Sequence, residues 1–508
     1  MLKFDPLDYA VIVGYLLSVL VLGLYFSRRQ NSLQEYFHAS GTVPWWAVGI
    51  SIVATGLSPI SYLAGPGWIF LKDSRNSLVS CLLGLALVPL TAAVWIPLWS
   101  RLRVLSIYEY LELRFHPLMR LLGAFLFLML TTTWVGTALS TAGLGFEKVT
   151  GFSAIGCIVV IAVLGTAYTM LGGLRAVIWT DVAQFFVFMV GYGAILVVLL
   201  KMFHWQPLEI YRIASETISS ETGHPHTRLI SFEWSTTVEA TFWVLLFSRV
   251  MYAISCGADQ REVQRWHASG SRRAMVKSIF SSFVWLLLFL LISVPASWGF
   301  VAFYSQHPEL KATIQNVPDQ VLPDFVVRNL PHAFRSLIMA GVLAALMSSF
   351  DSALNSMSSV AVNDVVRRYL APRATERRLV LIAKALTAVF GIVVIGFALW
   401  QLRHEDQTAQ EKMTKLVNVF IAPIPSLFLL GMLSKRTNTP GVLIGAIGGI
   451  TFAIVFNGIP GILEKQLDWF NWMWIAGLAT IVNIIIGYLA SYLFAPPSPE
   501  KLEKIFQN

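Results

Sequence analysis

Long apolar segments recur along the whole chain, and a polar stretch separates each one from the next. Helices of about 17 to 25 apolar residues are long enough to cross a lipid bilayer. The pattern therefore predicts an all-α polytopic membrane protein with about thirteen transmembrane helices. These segments lie near residues 7–27, 43–70, 78–100, 119–144, 153–172, 176–200, 237–258, 278–304, 335–362, 380–401, 414–433, 440–457 and 471–494.

The composition supports this prediction, because 56% of the 508 residues are hydrophobic, only 13% are charged, and the mean hydropathy is +0.66. We therefore expect the lipid bilayer to be a partner. The net charge of +9 comes from Lys and Arg in short loops and not from a continuous basic face, so we expect no nucleic-acid partner. Three cysteines without paired spacing predict neither a disulfide framework nor a zinc site.

An odd number of spans places the two termini on opposite sides of the membrane. With the amino terminus outside, most Lys and Arg residues fall in the inner loops, as the positive-inside rule requires. We therefore expect the amino terminus outside and the carboxyl terminus inside. The first segment is as long as a full span and ends at Arg28 and Arg29, which favours a retained helix over a signal peptide. Two outer loops, 202–236 and 305–334, are long enough to contain short surface helices.

A carboxylate and six serines interrupt the apolar pattern between Leu346 and Asp364. Asp351 lies in this segment, although a carboxylate at the bilayer centre costs roughly 2.5 to 3.5 kcal/mol. Small residues at helical spacing place their oxygen atoms on one face, which suits a weakly held hard cation. Those residues are Ala345, Ser348, Ser349 and Ser352. Serine-rich helix contacts are the alternative, but they do not explain the added carboxylate.

The second span contains glycines and prolines that are unusual inside an apolar run. Proline removes a backbone donor and clashes with the preceding turn, so a helix break is expected here. A break exposes backbone carbonyls at mid-membrane depth, where transporters place ion and substrate sites. A simple proline kink is the alternative. The residues concerned are Gly56, Pro59, Gly65, Pro66 and Gly67.

Two further charged residues lie within or next to apolar segments. Asp181 is either an intramembrane ligand or an interfacial helix cap near Arg175. Arg249 either snorkels or pairs with a carboxylate, or it binds an anionic substrate through its bidentate guanidinium group. The sequence alone leaves both choices open.

Catalytic patterns do not emerge from the sequence. The nine histidines lie chiefly in loops without metal-ligand spacing, no glycine-rich phosphate loop follows a strand, and Ser, His and Asp form no recognisable catalytic set. We therefore expect no enzyme activity and no organic cofactor.

Several short motifs, in their order and spacing, resemble those of the sodium:solute symporter family, which includes sodium-coupled sugar, sialic acid, proline, iodide, monocarboxylate and vitamin transporters. The resemblance covers about residues 8–490. Its motifs are Tyr36-Phe37 before the broken span, SIYEYLELRF at 106–115, GGLRAVIWTDVAQ at 172–184, DQREVQRW at 259–266 and SSFDSALNS at 348–356.

The resemblance implies an inverted-repeat fold of the leucine-transporter type, with five helices in each repeat. The expected organisation is a leading helix and inner loop at 1–42, a first repeat at 43–200, an outer loop at 201–236, a second repeat at 237–433, two trailing helices at 434–495 and a cytoplasmic tail at 496–508.

The resemblance also implies two sodium sites. In the common site, sodium is bound by backbone carbonyl oxygens and serine hydroxyls, here those of Ala54, Leu57, Ala345, Ser348 and Ser349. A further site, present in some members, maps onto Asp181, Ser348, Asp351 and Ser352. Some relatives have serine at the position of Asp351, so the carboxylate here either strengthens the site or accepts a proton.

The implied substrate pocket lies where the broken span meets the seventh and eleventh spans. Its candidate residues are Gly56, Ser58, Ser61, Trp134, Arg249, Tyr252, Ser255, Asn418 and Ser426. Trp134 aligns with the arginine that binds the carboxylate in sialic acid transporters, so sialic acid is expected only if Arg249 replaces it. The third span is nearly apolar, unlike that of sugar-transporting relatives.

Together these features predict a sodium-coupled symporter in the plasma membrane that imports a small organic solute by alternating access and functions as a monomer. The expected coupling ion is Na⁺. Three alternatives remain open: a proton-coupled transporter of the same fold, a solute sensor that does not transport, and an ion channel.

Overall fold

The computed structural model describes residues 6–26, 32–102, 104–314, 317–403, 417–458 and 469–499, and the single residues 415, 467 and 502. Arg28, Arg29, parts of the predicted eleventh span and most of the predicted tail lie outside these residues. The described residues form helices and contain no strand beyond one isolated bridge between Ile218 and Pro225. The predicted all-α class is confirmed.

Twenty α-helices follow one another along the described chain. They are α1 (Pro6–Phe26), α2 (Leu33–His38), α3 (Trp45–Gly56), α4 (Gly65–Leu71), α5 (Leu78–Ala86), α6 (Val88–Arg101), α7 (Glu109–Arg114), α8 (Pro117–Thr150), α9 (Ala154–Met202), α10 (Pro207–Glu216), α11 (Phe242–Ala253), α12 (Gln260–Ala268), α13 (Arg272–Ser305), α14 (Pro308–Ile314), α15 (Val321–Asn329), α16 (His332–Val360), α17 (Glu376–Gln401), α18 (Pro423–Leu433), α19 (Thr439–Asn457) and α20 (Trp472–Ala490).

Eight of the described helices are long and apolar enough to cross a membrane, and two bent pairs raise that number to ten. Helix α9 contains a non-helical residue, Gly173, with φ 59° and ψ −176°, so two helical segments meet there. Helix α11 and the segment 417–433 are apolar but shorter. The two loops predicted to lie outside do contain short helices, α10 in the first and α14 and α15 in the second.

The predicted break in the second span is present. Helix α3 ends at Gly56, a π-helical turn runs from Ile60 to Ala64, and the chain bends by 70° between the two halves. Pro59 lies in the gap and has no N–H to continue the hydrogen-bond ladder. The sharp bend shows that this segment is a broken helix rather than a gently kinked one.

The third span is also bent, which the hydrophobic pattern did not predict. Helices α5 and α6 meet at Leu87 with an angle of 49°. Pro89 occupies the first turn of α6, where its missing N–H requires no partner. A change of direction is therefore possible without a buried unpaired donor.

Helix α16 forms the centre of the bundle. Nearly all residues of its apolar window are buried, and it packs against α9, α1, α8, α17 and α3. Small residues permit close approach of neighbouring helices. At Gly49 of α3, for example, an added Cβ would overlap Ser281 Oγ and lie 2.9 Å from the backbone oxygen of Ser278, both in α13. Hydrogen bonds from α16 to the last residues of α3 place the break against the serine-rich face of α16.

Candidate ion and substrate sites

Two serine hydroxyls of α16 are directed at the last carbonyl groups of α3. Ser348 Oγ donates to the carbonyl oxygen of Ala54 at 2.8 Å and lies 3.2 Å from the carbonyl oxygen of Ala345. Ser349 Oγ donates to the carbonyl oxygen of Thr55 at 2.8 Å. All five residues are buried. Because α3 stops at the break, its final carbonyls have no following helical turn to accept from.

These oxygen atoms form a cluster without charge in the interior of the bundle. Carbonyl and hydroxyl oxygens are the ligands that hard cations prefer. Four of the five predicted sodium ligands come together here, and the fifth, Leu57, is the residue that caps α3, with ψ 75°. The carbonyl of Thr55 was not among the predicted ligands, although it accepts from Ser349.

A second polar cluster lies beside the first and centres on Arg265 of α12. Its guanidinium group donates to Ser51 Oγ at 2.7 Å and to Thr55 Oγ1 at 2.6 Å, and it lies 3.4 Å from the Asp181 carboxylate. It also donates to Ser352 Oγ. Ser51 in turn donates to Asp181 at 2.5 Å. A fixed cation therefore lies between two of the residues predicted for the second sodium site.

Asp351 belongs to the same cluster but does not pair directly with Arg265. One of its carboxylate oxygens accepts from Tyr168 Oη at 2.9 Å and the other from Ser352 Oγ at 3.2 Å. Asp351 and Asp181 are both fully buried. The cluster holds two carboxylates and one guanidinium group, so with all three ionised it has one unbalanced negative charge.

The contacts decide between the two interpretations of Asp181. It lies eight residues beyond the break at Gly173, within α9, and pairs with Arg265. Arg175, the partner expected for an interfacial cap, instead donates to Thr42 Oγ1. Asp181 therefore does not cap a helix: it is a fully buried carboxylate within α9.

Sequence reasoning missed four members of this cluster, namely Ser51, Thr55, Tyr168 and Arg265. Arg265 lies within the DQREVQRW motif, and that motif begins with Asp259, which caps α12 by accepting from the backbone N–H of Arg261. A cationic residue six positions beyond such a cap was the available signal. Its buried partner could not be identified from spacing.

The predicted substrate residues do not form one pocket. Two of the nine, Ser61 and Arg249, line a cavity of about 210 Å³ next to the break, together with Leu57 of the predicted sodium site. Arg249 Nε donates to Ser80 Oγ at 2.7 Å. Gly56 is exposed, and an added Cβ would meet no atom within 4 Å. Ser58 is buried and is not part of the cavity lining.

The remaining candidates lie elsewhere. Trp134 stacks on the guanidinium group of Arg261, 4.4 Å from the ring centroid, so it is not a wall of this cavity. The Asn418 amide donates to the carbonyl oxygen of Trp472 at 3.0 Å, and Ser426 Oγ donates within its own helix. Tyr252 and Ser255 are also outside the cavity lining, and Tyr252 is 42% exposed.

A larger cavity, of about 820 Å³, lies away from the break, between α2, α6, α12 and the end of α16. Its lining includes Arg120 and two histidines, His38 and His267, whose rings are 5.2 Å apart. Burial and the neighbouring His267 lower the pKa of His38 to about 3. Nearby, burial opposes ionisation of Glu112, but Arg120 outweighs it and the pKa of Glu112 is lowered.

The chain was then compared with known proteins. The model of the sodium:solute symporter family matches residues 36–449. A sodium/sialic acid symporter of Proteus mirabilis is 28% identical over 501 residues, which is 98% of each chain. The sodium-dependent multivitamin transporter of Oryctolagus cuniculus is 28% identical over 457 residues, 89% of this chain and 70% of that protein.

Among solved structures, a Na⁺-coupled sialic acid symporter in a substrate-bound outward-open state superposes with a TM-score of 0.86 at 27% identity, over 98% of this chain and 100% of that one. A nucleobase-cation-symport-1 transporter, at 14% identity and a TM-score of 0.54, shares the fold. The family model covers most of the described helices, and the fold agrees with it. The chain therefore belongs to the sodium:solute symporter family and is a sodium-coupled integral membrane transporter, not an enzyme.

Proposed function

We propose that this protein imports a small organic solute together with sodium, and that the ion binds where α3 breaks beside α16. The observation that carries the proposal is the pair of serine hydroxyls, Ser348 and Ser349, directed at the terminal carbonyls of α3. Ala54, Leu57 and Ala345 would supply the carbonyl ligands. This oxygen set suits sodium because it is neutral, small and flexible enough to release the ion.

In this mechanism bound sodium ties α3 to α16 and favours the outward-open state. A ligand shifts a conformational equilibrium only through its different affinities for the two states. Release of sodium to the inside would loosen the tie and let the solute follow. Moving one sodium ion inward across 100 mV provides about 2.3 kcal/mol before the concentration gradient is counted.

A second ion would bind at Asp181, Ser348, Asp351 and Ser352. The unbalanced negative charge of the Arg265 cluster supports a second cation there, either Na⁺ or a proton. A proton is favoured by the full burial of Asp351 beside a second carboxylate, Asp181, because one guanidinium group cannot balance both charges. A proton-coupled transporter of the same fold is therefore the second candidate function. A solute sensor and an ion channel are further alternatives.

We also propose the full topology. Counting the two halves of α9 separately, and adding the two shorter apolar helices, brings ten spans to thirteen. An odd count places the termini on opposite sides, and the distribution of Lys and Arg supports an outer amino terminus and an inner carboxyl terminus. The proposed topology has two inverted repeats at 43–200 and 237–433. We further propose a plasma-membrane location and function as a monomer.

Uptake by proteoliposomes tests the proposed function. Purified protein is reconstituted and supplied with a panel of labelled sugars, carboxylates and amino acids, first under an inward sodium gradient and then under an inward proton gradient with potassium replacing sodium. We expect concentrative uptake only with sodium. Uptake that follows the pH gradient alone would favour proton coupling, and downhill equilibration without accumulation would favour a channel. Sodium-dependent binding without uptake would favour a sensor.

A further inference from the structure

The 210 Å³ cavity is bounded by α4, α5, α9, α11 and α13, on the α4 side of the break. Part of its wall is aromatic, with Trp68, Tyr192 and Phe289. The polar residues of the lining are Ser61, Asn76, Ser77, Arg249, Ser293 and Ser297. Pockets that combine aromatic walls with polar groups are typical of ligand sites, but drug-sized ligands occupy pockets of about 300 Å³ or more. The cavity therefore suits a smaller solute.

Arg249 is the charged residue of this cavity, and its side chain is half-buried. Arg75 and Arg120 pair with the carboxylates of Asp73 and Asp364, and the buried Arg114 donates to backbone carbonyl oxygens. Arg249 forms no ion pair within the described part of the chain, where its hydrogen bond is the one from Nε to Ser80 Oγ. Its two terminal nitrogens are left for another acceptor.

The side chain is also fixed in direction. Ser80 holds Nε at 2.7 Å, so the guanidinium plane is anchored on one edge while the side chain lines the cavity. A snorkelling arginine would extend toward the membrane surface. A guanidinium group with one edge anchored presents its remaining donors as a fork, which matches the two oxygens of a carboxylate.

We propose that Arg249 binds the carboxylate of a small monocarboxylic solute, whose apolar part lies against the aromatic wall formed by Trp68, Tyr192 and Phe289. The anion supplies the missing negative charge, and the cavity volume limits the length of the acid. This inference rests on the proposed function, because it names the solute class for the sodium-coupled import described above. Ser80 acts as a positioning residue that orients the guanidinium group.

Pairs of acids and their amides provide the test, since each pair differs in charge but little in size. Purified full-length protein is assayed for sodium-dependent thermal stabilisation and for proteoliposome uptake with propionate and propionamide, lactate and lactamide, and benzoate and benzamide. We expect at least one acid to stabilise the protein and to be taken up, and its amide to do neither.

Variants then assign the effect to Arg249. Arg249→Gln should raise the KM for that acid roughly 30-fold or more, because truncating one partner of a buried charge pair costs at least 2 kcal/mol. Arg249→Lys should recover part of the loss. Arg328→Gln is the matched control, because Arg328 is 42% exposed, pairs with Asp324 and is outside the cavity lining. The KM of this variant for the acid should equal that of the unaltered protein.

The outcomes separate this inference from the proposed function. Sodium-driven uptake of neutral solutes with none of the acids, or acid uptake with an unchanged KM in Arg249→Gln, would overturn the role of Arg249 and leave sodium symport intact. Acid binding that is lost in Arg249→Gln but independent of sodium in the unaltered protein would support the carboxylate site and contradict sodium coupling.

Discussion

Replacing Ser349 by alanine removes a single hydroxyl group from the proposed sodium site. In the structure this hydroxyl donates to the carbonyl oxygen of Thr55 at 2.8 Å, and in the proposed mechanism its oxygen binds the ion. We take the contact between this oxygen and the ion to contribute as much as a hydrogen bond to a charged group, about 1.5 to 3 kcal/mol, and each 1.4 kcal/mol is a tenfold change in affinity. The half-saturating sodium concentration should therefore rise roughly 10- to 100-fold.

The assay is initial uptake of the transported solute by proteoliposomes, measured against sodium at constant ionic strength with choline as the replacement cation. Ser356→Ala is the matched control, because Ser356 is a buried serine of the same helix and its hydroxyl donates to the carbonyls of Ser352 and Ala353 in its own helix. The control should keep the original sodium dependence. If Ser349→Ala and Ser356→Ala give the same sodium curve as the unaltered protein, the proposed site is wrong.

Three further perturbations test other parts of the structure. Arg265→Gln leaves Asp181 buried without its guanidinium partner and should lower the free energy of unfolding by about 3 to 5 kcal/mol. NaCl should restore the melting temperature of this variant more than choline chloride does. Equal restoration by the two salts would contradict the role of Arg265 as the cation of this cluster. Gly49→Ala places a Cβ 2.9 Å from the Ser278 oxygen and should cost about 1 to 3 kcal/mol, so an unchanged melting temperature would contradict the close α3–α13 contact. The pKa of His38 is lowered from 6.5 to about 3, so the free energy of unfolding should fall as the pH drops from 6.5 toward 3, by up to about 1.4 kcal/mol per pH unit. In thermal melts at different pH values, His38→Gln should flatten this slope.

The role of Arg265 links these predictions to the question of how many ions are coupled. Its guanidinium group balances one of the two buried carboxylates, Asp181 and Asp351, without the entry of any ion. A second sodium ion or a proton would therefore balance the charge of Asp351. Uptake stoichiometry in Asp351→Asn, with sodium and pH varied separately, distinguishes the two ions: loss of a sodium-coupled charge indicates Na⁺, and loss of pH dependence with unchanged sodium stoichiometry indicates a proton.

Local chemistry was enough to predict several parts of this protein from its sequence. Bilayer crossing follows from segment length and apolarity, because a helix satisfies its own backbone hydrogen bonds in lipid. The break after α3 follows from Pro59, which has no N–H for the helical ladder, and from Gly56, which has a low helix propensity. Helical spacing also brings Ser348 and Ser349 onto adjoining positions of α16, and both hydroxyls do meet carbonyls of the broken helix.

Only the tertiary structure decided which distant groups meet. Arg265 contacts Ser51, Thr55 and Asp181 across more than 80 residues of chain, and no local pattern encodes that contact. Of the nine predicted substrate residues, two, Ser61 and Arg249, line the same cavity, because a pocket depends on how helices tilt and rotate against one another. The bend between α5 and α6 at Leu87 was also visible only in the tertiary structure. Apolar periodicity reports which residues enter the bilayer, whereas the partner of each polar group depends on packing between helices, and in this bundle that packing surrounds α16.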